Sequence, residues 1–133
     1  MTIVTNTNGV WSGGVGNTRF RDTVLQNPGS LNCDGDGTAQ ISDDSHNFST
    51  DNSCPLPNSQ TGLGLDPKLG PLTVDALGPT FYHMPLAGSP LINAGFNCPE
   101  HDQRGAVRPD ACDIGVVEYG GLLPRVYVPL IFK

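Results

Sequence analysis

The sequence predicts an all-β fold, and three observations carry the prediction. Glycine and proline, 17 and 12 of the 133 residues, are spread along the whole chain. Interior proline costs a helix about 3 kcal/mol and interior glycine about 1, so no helix of ordinary length fits between them. Short runs rich in β-branched and aromatic residues recur between turn-forming clusters, as strands and their loops do. Val, Leu, Ile and Phe also persist throughout, which makes this punctuation that of a turn-rich folded chain and not of a low-complexity one. The length suits one domain. We read residues 1–121 as that domain and residues 122–133 as an apolar tail.

The elements follow in order. Three strand-like segments, TIVTN, TRFRDTVL and AQIS, fall within residues 1 to about 50, separated by NGVWSGGVGN and NPGSLNCDGDG. Phe20 and Val24 are expected on one face of an alternating strand, with Asp22 between them. The segment centres recur at roughly twenty residues, the low end of solenoid repeat lengths. Stacked coils of a parallel solenoid and a small sandwich both fit that spacing. From about residue 51 to 121 the chain is expected to be a loop-rich wrap. Its apolar anchors, Leu65, Leu69, Leu72, Phe81, Leu86 and Ile92, would enter grooves of the preceding coils. In the tail, Val126, Tyr127, Val128, Leu130, Ile131 and Phe132 are apolar, while Pro124 and Pro129 forbid a helix and suit an edge strand. Such a strand can cover its own core or add to another molecule.

Charge and cysteine usage narrow the function classes. A formal charge of −6 argues against nucleic acid, whose phosphates require clustered Lys and Arg. No run of about 18 apolar residues is available to span a bilayer. Residues MTIVTNTNG lack the basic and apolar regions of a secretory signal, so any such signal is expected to have been removed or left out. The four cysteines lack the C-x-x-C or nearby-His spacing of zinc and redox sites. Of the three connectivities they allow, Cys33 with Cys54 and Cys98 with Cys112 each staple one loop-rich segment. Four reduced, buried thiols are the alternative. Disulfides place the mature protein outside the cytoplasm, in extracellular space or at a cell surface.

LDPKLGPLTVDALGPTFYHMPLAGSPLINAG followed by CPEHDQRGAVRPDACDIGVVEYG resembles the C-terminal region of choice-of-anchor Q domain proteins, which are secreted bacterial surface proteins. The likeness extends back through SHNFSTDNSC and TRFRDTVLQNPGSLNC and covers about residues 17 to 120. Two positions depart from the family pattern: Leu77 precedes Gly78 where a second Gly is usual, and Asn93 takes the place of an Asp. The resemblance implies a right-handed parallel β-helix of a few coils closed by the disulfide-stapled wrap. Because members generally carry more coils, it also implies either the terminal piece of a longer β-helix or a minimal version of one.

Within that frame, Asp102, Arg104, Arg108, Asp113 and Glu118 have two readings. As chemistry, they form a carboxylate pair for acid/base work, with arginine holding an anionic sugar. As structure, they form an Arg–carboxylate lock whose forked guanidinium bonds fix the loop. The lock is adopted, since the family resemblance runs through this segment without an associated reaction. Asp34 and Asp36 in CDGDG, followed by Asp43 and Asp44, offer oxygens to calcium, yet the remaining EF-hand ligands and closing Glu are absent, and Asp-Gly pairs form ordinary turns. Asp43, Asp44 and His46 resemble a glycosidase cluster only in composition, because neighbouring strand residues point to opposite faces. His83 and His101 have no nucleophile nearby. Trp11, beside Gly13 and Gly14, either packs or stacks on a sugar ring. Asn47 opens an N-F-S sequon.

The sequence thus leads to a structural or adhesive extracellular protein without catalysis and without a cofactor, calcium apart. Its expected partner is a second copy of itself, through head-to-tail addition of the tail and growth into filaments, with cell-surface polysaccharide as a further partner. A carbohydrate-binding or carbohydrate-cleaving β-helix is the alternative.

Overall fold

The computed structural model describes residues 1–6, 9–75 and 80–123, and the apolar segment Val126–Phe132 lies outside them. Ten strands and no helix occur among the described residues: β1 Thr2–Val4, β2 Val10–Ser12, β3 Asn17–Phe20, β4 Val24–Gln26, β5 Cys33–Gly35, β6 Gln40–Asp43, β7 Phe48–Ser49, β8 Gln60–Thr61, β9 Leu69–Val74 and β10 Phe81–Pro85. The first three strands enter three different sheets, and the next three return to the same sheets in the same order. β1 pairs with β4, β2 with β5 and β3 with β6, all parallel. Thr2 lies opposite Val24, Val10 opposite Cys33 and Asn17 opposite Gln40, intervals of 22, 23 and 23 residues. β7 and β8 extend the first sheet, still parallel, to the order β1-β4-β7-β8.

Corners between these short strands need backbone that turns sharply, and polar residues supply it. Asp22, at φ 45°, separates β3 from β4, while Ser45 and His46, also at positive φ, separate β6 from β7. Asp is one of the few non-glycine residues that visit this region routinely, and the Asp22 carboxylate is held there by the distant Phe96 N–H. Two fully buried asparagines hold further corners. Asn32 accepts the Asn27 N–H (2.8 Å) and donates to Leu25 O (3.0 Å) and Ser49 Oγ (2.9 Å). Asn47 accepts the Thr23 N–H (3.0 Å) and donates to Phe20 O (3.0 Å) and Asp43 Oδ1 (2.8 Å). Being wholly buried, Asn47 is inaccessible to glycosylation in the folded chain.

The core has two parts divided by the first sheet. On one side Phe20, Leu25, Cys33, Cys54 and Leu56 pack together, with Ile3, Val10 and Ile41 against them. On the other, Val24 and its ladder partner Phe48 meet Leu91 and Ile114, with Leu69 and Ala94 at the margin. Phe20 and Val24 therefore lie on opposite sides of the sheet and not on one face. The reason is the Asp22 corner, which splits the expected single strand in two. CDGDG likewise contains a strand, β5, where an Asp-Gly turn is expected, and NGVWSGGVGN contains β2. In both, ladder bonds to a parallel neighbour override weak local propensity.

The wrap also departs from expectation. It contains an antiparallel hairpin, β9 with β10, that places Val74 opposite Phe81 and Leu72 opposite His83. Leu65, Leu72, Phe81 and Leu86 are exposed and are not anchors, while Leu69 and Ile92 are half-buried. Leu91 and Ile114 provide the deep anchors instead. The disulfides are Cys33–Cys54 and Cys98–Cys112, the pairing expected from the local spacing. Two such bridges suit an oxidising environment. No helix among the described residues is long and apolar enough to cross a membrane.

Leu91→Ala should cost about 2–5 kcal/mol in urea denaturation, since its cavity lies between Val24, Phe48 and Ile114. Leu86→Ala, at an exposed position, should stay within about 0.5 kcal/mol of wild type. Equal costs at the two sites would contradict the assignment of anchors.

Candidate functional site

The chain from Cys98 to Glu118 folds back on itself as a clasp. Its tip is a narrow antiparallel turn: His101 bridges Val107, Asp102 N–H donates to Ala106 O (2.8 Å), and Gly105 sits at φ 83°. Cys98–Cys112 joins the two sides of the turn below that tip. Inside, the sequence-predicted charges are brought together. Asp102 accepts from Arg104 Nε (3.0 Å) and NH2 (2.8 Å), and its two oxygens also accept the backbone N–H groups of Arg104, Ala106 and Glu118. Arg108 donates to Glu118 Oε2 (3.0 Å) and to the carbonyls of Asp113 (3.0 Å) and Gly115 (2.8 Å). Glu118 Oε2 also accepts the Asp113 N–H (3.0 Å), and Asp113 accepts the N–H groups of Asn93 (2.8 Å) and Tyr119. Arg104 additionally lies over the Tyr82 ring, 5.4 Å from its centroid, and 3.8 Å from the Asp75 carboxylate.

Burial and bonding act against each other on these acids. Burial raises the Asp102 pKa, but the N–H of Glu118, the Arg104 guanidinium and the N–H of Ala106 outweigh it and hold the carboxyl below the ordinary aspartate range. In Glu118 burial wins, and the carboxyl is held above its ordinary value even though the Asp113 N–H and Arg108 favour its charge. Among the buried side-chain atoms of the clasp, Arg108 Nε alone has no partner within the described residues. The arrangement is therefore that of a nearly closed lock between turns.

The clasp meets the parallel strands at Asp22. Its carbonyl accepts the N–H of Gly115 (3.0 Å) and the Met1 amine (3.0 Å), and its carboxylate accepts the N–H of Phe96 (2.9 Å). The Phe96 ring stacks on His46, centroids 5.2 Å apart. Gly115, at φ 111°, approaches so closely that a Cβ would lie 2.9 Å from Thr2 Oγ1 and 3.4 Å from Val24 Cγ2. A cleft of about 810 Å³ remains at this junction, lined by Arg19, Arg21, Asp44, Asn97, His101 and Gln103 among others.

The other sequence-predicted residues lie apart from one another. Asp43 Oδ1 accepts from Ser45 N–H (2.9 Å), Asn47 Nδ2 (2.8 Å) and Ser59 Oγ (2.7 Å), and Oδ2 from Asn58 N–H (2.6 Å). Burial opposes its charge, but these bonds hold the Asp43 carboxyl below the ordinary range. Asp44 faces outward in a forked pair with Arg19 (Nε 3.1 Å, NH2 3.1 Å), so the two neighbours are not a catalytic-style pair. His46 Nδ1 meets Ser45 Oγ, and His83 Nδ1 donates to Gly70 O (2.8 Å). Asp36 Oδ1 accepts the N–H and hydroxyl of Thr38, and Oδ2 accepts the Gly14 N–H alone among the described residues. Among the described residues Asp34 bonds only the adjacent Gly35 N–H. Among the described residues no cluster of three His, Cys, Asp or Glu side chains is placed to hold a metal.

Sequence reading missed Asp22, Asn32, Asn47 and Asp51 as structural acids and amides. Asp51 accepts from Ser53 N–H (2.9 Å), Ser53 Oγ (2.6 Å) and Asn32 N–H (2.9 Å). Against the effect of burial, these bonds lower its pKa. A local Asp-x-Ser pattern was the available signal for Asp51, whereas the long-range partners of Asp22 and Asn47 leave none.

In comparisons with known proteins, no family model matches the chain, and no curated protein and no solved structure matches it.

These shifts fix the acid response. Asp43, Asp51 and Asp102 ionise below the ordinary value of 3.8, so their stabilisation is present above about pH 4 and is lost as pH falls through the lowered folded values. Glu118, held above 4.5, acts in the opposite sense: its contribution is fully present below its ordinary value and lost as pH rises through the folded one. Asp102→Asn should cost about 3 kcal/mol at pH 7, because buried Arg104 loses the carboxylate bonded directly to it and keeps only that of Asp75, 3.8 Å away. Urea midpoints of this variant should fall less steeply than wild type below about pH 4. An unchanged acid slope would contradict the assignment of Asp102.

Proposed function

We propose that the chain is a non-catalytic structural or adhesive protein of the extracellular space, built as a short right-handed parallel β-helix and closed by the clasp. Supporting the architecture is the strand order: three sheets are visited in turn and revisited at an interval of 22 to 24 residues. The handedness follows from the strong right-handed preference of parallel connections. The kinship with choice-of-anchor Q terminal regions rests on the sequence resemblance and is part of the same proposal.

The observation that carries the functional reading is how the clasp uses its charges. Asp102, Asp113 and Glu118 each accept backbone N–H bonds, and Arg104 and Arg108 are committed to carboxylates and carbonyls. An acid or base for catalysis has to exchange its proton with a substrate, and a nearly closed lock leaves little scope for that. The two disulfides fit secretion.

Self-assembly belongs to the same reading. The outward face of the β9–β10 hairpin carries Leu72, 60% exposed, and Phe81, 64% exposed, with Val74 beside them. A groove of about 450 Å³ runs between this face and β1, an edge strand of its sheet. Edge strands accept further strands, and the apolar sequence of residues 122–133 is suited to be one. A head-to-tail contact that does not close produces a filament.

Sedimentation velocity tests this. The full chain should form concentration-dependent assemblies, and deletion of residues 122–133 should leave a folded monomer. An assembly state unchanged by the deletion would overturn self-assembly through the tail.

A further inference from the structure

The ladder of β2 and β5 presents an arrangement that the clasp and the hairpin do not use. Trp11 is 62% exposed although it sits in mid-strand, and its neighbour Ser12 is buried, so the indole is on the outer face. The far edge of its ring lies over Gly13. A Cβ on Gly13 would fall 2.1 Å from Trp11 Cη2 and 2.3 Å from Cζ3, so the six-membered ring lies directly against the glycine backbone. Only glycine leaves room for this.

Carboxylates flank the ring. Asp34 lies directly opposite Trp11 in the parallel register, exposed on the same outer face, and among the described residues bonds only the Gly35 N–H. Asp36 Oδ2 lies 3.0 Å from that same Gly13 Cβ position and is fixed there by the Gly14 N–H (3.3 Å). Bonds from Thr38 hold the rest of the Asp36 carboxylate and lower its pKa. The combination is a flat apolar surface with fixed acceptors at its edge.

The geometry points to a saccharide-binding site on this face, centred on Trp11 with Asp34 and Asp36 at its rim, that takes a neutral polysaccharide. A pyranose ring offers an apolar C–H face to stack on an aromatic side chain and hydroxyl donors at its edge to meet carboxylate oxygens. Two carboxylates on a chain of net charge −6 disfavour uronic and sulfated polymers. An ammonium ligand would gain from a cage of several rings, and this ladder carries no second aromatic side chain. The inference deepens the adhesive reading proposed above, for which it supplies the ligand class.

Trp11 is the single tryptophan of the chain, so its fluorescence reports on this site alone. The experiment titrates the intact protein with mixed-linkage β-glucan, xylan and mannan, following emission and migration in affinity gels, with polygalacturonate and choline as comparators. Binding should shift or quench the emission with at least one neutral polymer and retard migration. Trp11→Ala should weaken retardation at least about tenfold, and Trp11→Phe should retain part of it. Gly13→Ala should weaken binding by displacing the indole, and Asp34→Asn should weaken it without unfolding, as circular dichroism checks.

Retardation undiminished in Trp11→Ala would overturn this site while leaving the adhesive reading standing. Retardation by polygalacturonate alone, or an emission response to choline alone, would overturn the neutral-saccharide assignment. No response to any polymer would overturn the site and polysaccharide adhesion together, and self-assembly would still be judged separately by the tail deletion.

Discussion

The apolar outer face of β4 and β7 is the constraint on which the rest of the structure depends. Leu25 points into one half of the core, so its neighbour Val24 has to point out of it, and Phe48 stands beside Val24 on that same outer face. Left bare, these two would expose one of the largest side chains of the parallel strands to water. Leu91 and Ile114 cover them so completely that all four are essentially inaccessible. At about 1.5–3 kcal/mol for each large side chain removed from water, this seam rivals the whole net stability of an ordinary domain. It gains that weight only if the clasp is held in position.

The remaining interactions can be understood as meeting that condition. Asp22 turns the chain between β3 and β4 and then binds both Phe96 and Gly115 from the clasp side. Gly115 permits the close approach that lets Ile114 reach Val24. Behind Ile114, the Arg108–Glu118 and Arg104–Asp102 pairs fasten a segment that has no helix and little strand to give it rigidity. Buried ion pairs of this kind add little net stability over an apolar replacement, but they define one geometry among many. The Trp11 face and the outward side of the β9–β10 hairpin lie outside the seam and are exposed.

Much of this architecture was legible in the sequence. Punctuation by glycine and proline indicated strands in place of helices, and the local spacing of cysteines indicated the bridges. The five charged residues of the clasp could be grouped because they are close in sequence, with Asp102, Arg104 and Arg108 inside the Cys98–Cys112 loop and Asp113 and Glu118 just after it. What stayed hidden depends on contacts far along the chain. Leu91 and Ile92 are adjacent apolar residues, and only the position of Val24 and Phe48 decides which one is buried. Trp11 and Gly13 could be singled out, but Asp34 became their neighbour only through parallel pairing with β5. Short parallel strands carry weak alternation of their own, and for that reason the sequences of β2 and β5 resemble loop and turn.

The central claim is that the clasp and the parallel strands form one cooperative unit joined at the Val24–Phe48 seam. Native-state hydrogen exchange in rising urea measures this directly. The amides of Ala106 and Glu118, bonded to Asp102, should exchange with the same opening free energy as the Phe48 amide bonded to Thr23. Exchange of the clasp amides through a separate, low-energy opening, with Phe48 still protected, would contradict it.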